Sequence, residues 1–172
     1  MKKFLLVPRN FIYLISILVF LMSFVLHFIY DWTGESVIVG AFAPIDESIW
    51  EHTKLAFFPL LVLYSVYYIV CYKKTDIDKE KWFTCMLLNV LISVLLIPML
   101  YYFINSGLGI ENTFVNIMVL LVSLVIGSLI SAHFYKYGRG INFVLSVCIA
   151  VFLIFIYILF TFSKVNLPMF YE

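Results

Sequence analysis

The hydrophobic residues of this chain lie in five long blocks that are separated by short polar connections. The blocks cover residues 11–29, 55–72, 82–104, 114–135 and 141–162, and none of them contains Lys, Arg, Asp or Glu. A helix that crosses the hydrocarbon core of a bilayer needs about 20 apolar residues. The pattern therefore predicts five transmembrane helices, at approximately 11–29, 47–73, 82–104, 113–135 and 141–162, with a long loop at 30–46.

The composition is typical of a helical membrane protein. Hydrophobic residues make up 65% of the chain and charged residues 12%, and the mean hydropathy is +1.09, whereas a soluble domain is about half apolar. Membrane β-barrels are excluded because their strands have about ten residues of alternating polarity. We therefore expect an all-α bundle that forms one domain over residues 1–172, with the lipid bilayer as its surroundings and no nucleic acid as a partner.

The basic residues predict the orientation of this bundle. Nine of the eleven precede the first block or lie in two of the connections: Lys2, Lys3, Arg9, Lys73, Lys74, Lys79, Lys81, Lys136 and Arg139. Connections that are rich in Lys and Arg stay in the cytoplasm. The N-terminus is therefore expected inside, and five spans place the C-terminus and the loop at 30–46 outside. We call this loop the outer loop.

The stretch APIDESIWEHTK, residues 43–54, concentrates ionisable groups beside apolar sequence. Asp46 is a good N-cap and predicts that the second helix begins at Glu47; a start at Ser48, with Glu51 completing a capping box, is the alternative. At the outer end of the first helix, His27 and Asp31 lie four residues apart. Two imidazoles and several carboxylates are thus expected at one depth on two consecutive helices.

These residue types fit a metal site. Two His and one or two carboxylates are a plausible set for zinc or another divalent ion. The metal-ligand candidates are His27, His52 and Asp31, and the carboxylates that remain as ligand or general base are Glu47 and Glu51. The same groups also fit a proton-handling site, and acidic residues in a first helical turn can simply offset the helix dipole. Glu51 can equally pair with Lys54.

Two further features concern the cytoplasmic half and the packing of the bundle. His133 lies at the predicted cytoplasmic end of the fourth helix, so we assign it to the interface. Small residues at four-residue spacing in the fourth helix, Ser123, Gly127 and Ser131, predict the close approach of a neighbouring helix. Asn89 and Ser93 share a face of the third helix and are expected to form hydrogen bonds with other helices.

The polar stretch carries a resemblance. "HFIYDW", followed by "APIDESIWEHTKLAFFP", resembles the motif P-[VI]-[ND]-E-S-x-W-E-H-x-K of an uncharacterised family of small bacterial multi-pass membrane proteins. The matching positions are Pro44, Asp46, Glu47, Ser48, Trp50, Glu51, His52 and Lys54. The resemblance implies a multi-pass protein of the bacterial cytoplasmic membrane, and it implies no activity.

Three classes of function follow from these residues. The first is a metal-dependent hydrolase or transferase that acts on a lipid-like substrate, with a carboxylate as general base on bound water. A weaker similarity to alkaline ceramidases supports only the general idea of a metal site within a helical bundle, because this chain has five predicted spans and no His-x-x-x-His. The second class is a cation or proton transporter or channel component. The third is an accessory membrane subunit, which would dock a partner protein through Trp50 and the outer loop.

Overall fold

The computed structural model describes residues 7–171, and five long helices dominate them. Their bounds are α1 Pro8–Trp32, α2 Ile49–Cys71, α3 Lys79–Tyr102, α4 Thr113–Tyr137 and α5 Phe143–Phe162. Three short elements complete the structure: a single helical turn in the outer loop (Val37–Gly40), a π-helical turn after α3 (Phe103–Gly107) and a 3-10 turn near the C-terminus (Pro168–Phe170). No strand occurs within the described residues, so the all-α prediction is confirmed. The N-terminal Lys2 and Lys3, which entered the orientation argument, lie outside them.

The helices begin where side chains can cap them. Four start after a residue whose side chain accepts a backbone N–H of the first turn, namely Ser48, Asp78, Asn112 and Asn142. The remaining helix, α1, has Pro8 in its first turn, where a missing N–H costs nothing. The predicted start of the second helix at Glu47 is wrong, because the cap is Ser48 and the helix begins at Ile49.

Asp46 and Glu51 have other roles at this helix start. The side chain of Asp46 accepts the backbone N–H of Ser48 at 2.9 Å, which holds the chain in the turn that precedes the helix. The Ser48 hydroxyl accepts the N–H of Glu51 at 3.4 Å. The Glu51 carboxylate does not accept the backbone N–H of Ser48, as a full capping box would require; it accepts the N–H of Ile45 at 3.0 Å instead. Only one half of the capping box is therefore formed.

Four of the helices form a ring. Helix α1 packs against α2, α2 against α3, α3 against α4 and α4 against α1, while α5 packs against α3. Helix α5 also contacts α2 through Tyr157, whose ring stacks on Phe57 with the centroids 3.9 Å apart. This arrangement leaves space for a cavity inside the ring.

Buried polar side chains join α3 to its neighbours, as the sequence predicts. The Nδ2 of Asn89 donates hydrogen bonds to the Tyr64 hydroxyl at 3.1 Å and to the Ser128 hydroxyl at 3.2 Å, and Ser93 donates to the Ser123 carbonyl at 3.3 Å. Gly127 of α4 allows α3 to come this close, since a Cβ at that position would lie 2.5 Å from both Asn89 Oδ1 and Ser93 Oγ. The small-residue face of α4 is thus a helix-packing face.

The outer surfaces of the long helices are apolar. All five are long and apolar enough to cross a membrane, and large hydrophobic side chains such as Leu95, Phe152 and Ile69 are each more than half exposed. Water-soluble proteins rarely expose contiguous apolar surface of this extent. The five-helix prediction is confirmed, and these faces are the ones that would contact lipid.

The outer loop and the C-terminal segment lie at the same end of the bundle. Lys164, which follows α5, contacts Asp46 with 2.5 Å between Nζ and Oδ2. Partial burial would by itself raise the pKa of the Asp46 carboxyl, but the hydrogen bonds from Lys164 and Ser48 outweigh this effect and hold the pKa below its ordinary value. Trp50 stacks between Tyr157 and Phe170, with ring centroids 4.7 Å away on each side, so its ring packs within the protein's own chain.

Candidate metal centre

Two histidines and a glutamate converge at this end of the bundle. His27 lies in the last turns of α1, His52 lies in the first turn of α2, and Glu47 directly precedes the cap of α2. The Nε2 atoms of His27 and His52 lie 3.9 Å and 3.4 Å from Glu47 Oε2, and the two imidazole rings meet edge to face with their centroids 5.2 Å apart. The antiparallel packing of α1 and α2 thus joins residues that are 25 positions apart.

The spacing of these atoms suits a small tetrahedral ion. Ligand atoms on zinc, with bonds of about 2.0–2.1 Å, lie about 3.3–3.4 Å from one another. The ligand atoms of His27, Glu47 and His52 all lie within 4.8 Å of one another, and one of the three pairs already has the tetrahedral spacing. Small side-chain rotations would bring the other two pairs to it. Two His and one Glu are also a ligand set that leaves a coordination position open in catalytic zinc sites.

The backbone orients the His52 ring for this role. Its Nδ1 lies 2.9 Å from the Ser48 carbonyl oxygen, and because a carbonyl can only accept a hydrogen bond, Nδ1 carries the proton. In the neutral ring, Nε2, the atom that faces Glu47, then presents its lone pair. A ligating histidine whose other ring nitrogen donates to a carbonyl has its tautomer and orientation fixed in this way.

The candidate site is accessible to solvent. The side chains of His27 and His52 are each 29% exposed, and that of Glu47 is 68% exposed. An ion or a water molecule can therefore reach the site without a change of fold. Such partial exposure is also what an open coordination position requires.

The three residues stand at the polar end of a cavity of about 630 Å³ inside the four-helix ring. Its walls are mostly apolar, and they include Phe20, Phe24, Leu55, Ile97 and Leu120. Phe20 lies about two turns, or roughly 10 Å of helix, below His27. The volume is in the range of small-molecule sites, about 300–1,000 Å³. The cavity thus combines a long apolar chamber with a cluster of metal-ligand atoms at one end.

Glu51, a candidate general base from the sequence, lies elsewhere. Its side chain is 1% exposed and forms an ion pair with the fully buried Lys54, with 2.6 Å between Oε2 and Nζ. Lys54 also donates to the carbonyl oxygens of Gly40 and Ala43, at 2.7 Å and 3.1 Å. We call this group the loop clasp. It ties the outer loop to α2, and Glu51 is not among the residues that line the cavity.

The other predicted residues also lie apart from the cluster. Asp31 is exposed on the last turn of α1 and, within residues 7–171, does not belong to a group of metal-ligand atoms. His133 is exposed near the opposite end of the bundle, where its ring contacts Tyr137. Of the five candidates, the structure brings together His27, His52 and Glu47, and within residues 7–171 Asp31 and Glu51 are not part of that group of ligand atoms.

The sequence did not reveal the polar residues that α3 and α4 contribute to the lining of the cavity. Tyr101, Thr113 and Asn116 also line the cavity. A weak signal was present, because Asn105, Asn112 and Asn116 lie in or near the connection between two apolar blocks on the predicted outer side. Nothing in the sequence indicated that α4 packs against α1 and so closes the ring.

Comparison with known proteins identifies a family and no activity. No curated protein and no solved structure matches the chain. The family model that does match is described as "Family of unknown function (DUF6512)", and it covers residues 1–172. A match of this extent shows membership. The chain belongs to DUF6512, a family of unknown function.

Proposed function

We propose that this protein is a membrane-embedded, zinc-dependent hydrolase that acts on a lipid-like substrate. The observation that carries the proposal is the position of His27, His52 and Glu47 at the polar end of an apolar cavity. A metal site alone would fit many functions, and an apolar cavity alone would fit a packing defect. Their combination fits a ligand that has a long apolar part and a polar bond at its end.

In this proposal, one set of residues binds the ion and another set binds the substrate chain. His27, His52 and Glu47 would hold the ion, and the hydrogen bond from His52 to the Ser48 carbonyl would keep one ligand in position. Zinc in such a site supplies Lewis acidity and lowers the pKa of its water towards 7. In ester hydrolysis the water oxygen bonds to the acyl carbon, the bond to the alcohol oxygen breaks, and one water proton passes to that alcohol. The apolar walls hold the chain and exclude further water.

The orientation of the protein is part of the proposal. We place the N-terminus in the cytoplasm and the candidate site at the outer face of the cell membrane, on the basis of the Lys and Arg distribution. The contact between Lys164 and Asp46 puts the segment after α5 beside the outer loop, so these two segments share one side, as five spans require. A lipid-like substrate would then enter from the outer leaflet.

Reporter fusions test this orientation. A reporter that is active only outside the cytoplasm should work when fused after Glu172 and fail when fused at Lys74, in the connection between α2 and α3. A reporter that requires the cytoplasm should show the reverse. Cytoplasmic activity at both positions would contradict the five-span orientation and would remove the site from the outer face.

Metal content and hydrolysis test the function. The purified protein in lipid nanodiscs should bind about one zinc ion per chain, measured by elemental analysis after removal of loosely bound metal. It should hydrolyse a fluorogenic long-chain acyl ester, lose this activity on chelation, and regain it when zinc is added. Absence of bound zinc would refute the proposal. Zinc binding without hydrolysis, together with cation flux in proteoliposomes, would assign the site to transport instead.

A further inference from the structure

A second cavity of about 610 Å³ adjoins the first at the outer end of the bundle. We call the first the inner cavity and the second the outer cavity. They share four lining residues, Ile49, Tyr101, Thr113 and Asn116. The remaining lining of the outer cavity comes mainly from the end of α3, the connection that follows it and the C-terminal segment. A mainly polar cavity and a mainly apolar one thus meet at these four residues.

We propose that the outer cavity binds the uncharged, hydroxyl-rich head group of an amphiphile whose chain occupies the inner cavity. The substrate class would then be a lipid with a glycosyl or similar polyol head group. This inference rests on the proposed function for the identity of the reaction, but the binding of the head group is a separate property of the outer cavity.

The charge of the outer cavity argues for an uncharged head group. Among residues 7–171, its lining contains one carboxylate, Glu111, which is exposed, and no Lys, Arg or His. Phosphate groups are normally held by Arg, Lys or helix N-termini. Basic side chains are missing from the described lining, and at the N-terminus of α4 the backbone N–H groups of Phe114 and Val115 are already taken by the Asn112 side chain. The polar groups present are instead amides and hydroxyls, which donate to and accept from sugar hydroxyls. They are Tyr101, Tyr102, Asn105, Ser106, Asn112, Thr113, Asn116 and Tyr171.

Asn116 stands at the junction of the two cavities and is held in place. Its Oδ1 accepts a hydrogen bond from Asn105 Nδ2 at 2.9 Å, and the same Nδ2 donates to the Tyr101 carbonyl at 3.1 Å. With its oxygen oriented by Asn105, Asn116 can present its NH₂ to a ligand as a donor. A fixed donor at the entrance to an apolar chamber suits the first hydroxyl or the linkage oxygen of a head group.

The junction lies next to the candidate metal centre. Ile49 lines both cavities, and it is two residues from Glu47 and three from His52, so it shares a face of α2 with His52. A ligand with its head group in the outer cavity and its chain in the inner cavity would place the bond between the two parts beside the metal ligands. The arrangement thus also predicts which bond of the substrate would be cleaved.

Photoreactive amphiphiles that share one alkyl chain and differ in head group provide the test. The head groups are glucosyl, phosphate and trimethylammonium, and labelling of the protein in nanodiscs is located by mass spectrometry. The glucosyl probe should label peptides of the outer cavity at the lowest concentration. Preferred labelling by the phosphate or the trimethylammonium probe, or equal labelling by all three, would overturn the proposal.

Asn116→Asp sharpens this test, because the carboxylate still accepts from Asn105 but no longer donates to a ligand. We expect it to weaken labelling by the glucosyl probe about five- to tenfold. Asn166→Asp, the same change at an exposed residue outside both linings, should leave labelling unchanged. Equal labelling of wild type and Asn116→Asp would remove Asn116 from the site and contradict the proposal.

Zinc content, measured on the same samples, separates this inference from the proposed function. Zinc binding and ester hydrolysis without a preference for the glucosyl probe would refute the head-group inference and leave the hydrolase intact. Selective glucosyl labelling in a protein that binds no zinc would support the head-group site and refute the hydrolase.

Discussion

Lys54→Met is expected to lower the free energy of unfolding by about 3–5 kcal/mol, the usual cost of removing one partner from a buried ion pair. Lys54 is fully buried, and Glu51 is 1% exposed. Methionine has a similar length and no charge, so it would leave the Glu51 carboxylate buried without a cation. Denaturation in mixed detergent micelles, followed by circular dichroism, measures the effect.

The size of this effect follows from the number of contacts that Lys54 makes. Its Nζ contacts the Glu51 carboxylate and the carbonyl oxygens of Gly40 and Ala43. The Oε1 atom of Glu51 is buried and has no hydrogen-bond partner, so the carboxylate depends on Oε2 for its compensation. Loss of the ammonium group would therefore leave the buried carboxylate with only the Ile45 N–H and no counter-ion, and two carbonyl groups without their donor. It would also release the outer loop from α2.

Two matched variants test this explanation. Glu51→Gln should cost less than Lys54→Met, because the amide oxygen can still accept from Lys54 while the two loop carbonyls keep their donor. The double variant Glu51→Gln/Lys54→Met should be more stable than Lys54→Met alone, since no buried charge remains. If Lys54→Met were as stable as the wild type, the loop clasp would not contribute to the fold.

The fold could be predicted from the sequence because each helix is an apolar block of bilayer length. The ends of the helices were less predictable, since several residues near each end can cap a helix. Asp46 and Ser48 are both good N-caps, and the structure uses Ser48 as the cap and Asp46 to hold the turn before it. Asp46 is held there by Lys164, which comes from the far end of the chain and is a contact that local sequence does not contain.

The candidate site was only partly predictable for the same reason. His27 and His52 could be paired from the sequence because consecutive spans run antiparallel and place both residues at one depth. The sequence did not distinguish Glu47 from Glu51. Their roles are set by the outer loop, which folds back so that Gly40 and Ala43 meet Lys54 and draw Glu51 into the interior. The cavity depends on the contact of α4 with α1, which connects distant parts of the chain.

The candidate metal centre and the loop clasp lie within a few residues of each other, and two substitutions should separate them. His52→Ala removes one of three ligands, and we expect it to weaken zinc binding by more than about 100-fold, since loss of even an outer hydrogen-bond partner of a ligand costs about 10–100-fold. Its effect on stability should be small, at about 1 kcal/mol, because the Ser48 carbonyl still accepts the hydrogen bond from the backbone N–H of residue 52. Isothermal titration with zinc and detergent denaturation measure the two quantities.

Glu51→Gln should give the opposite pair of results, with lower stability and unchanged zinc affinity, because Glu51 contacts Lys54 and Ile45 and is not part of the ligand group. His133→Ala is the matched control for His52→Ala, since it removes an exposed imidazole far from the cluster and should change neither quantity. Equal zinc affinity in His52→Ala and the wild type would contradict the metal centre. Loss of zinc in Glu51→Gln at full stability would mean that Glu51, rather than Glu47, completes the site.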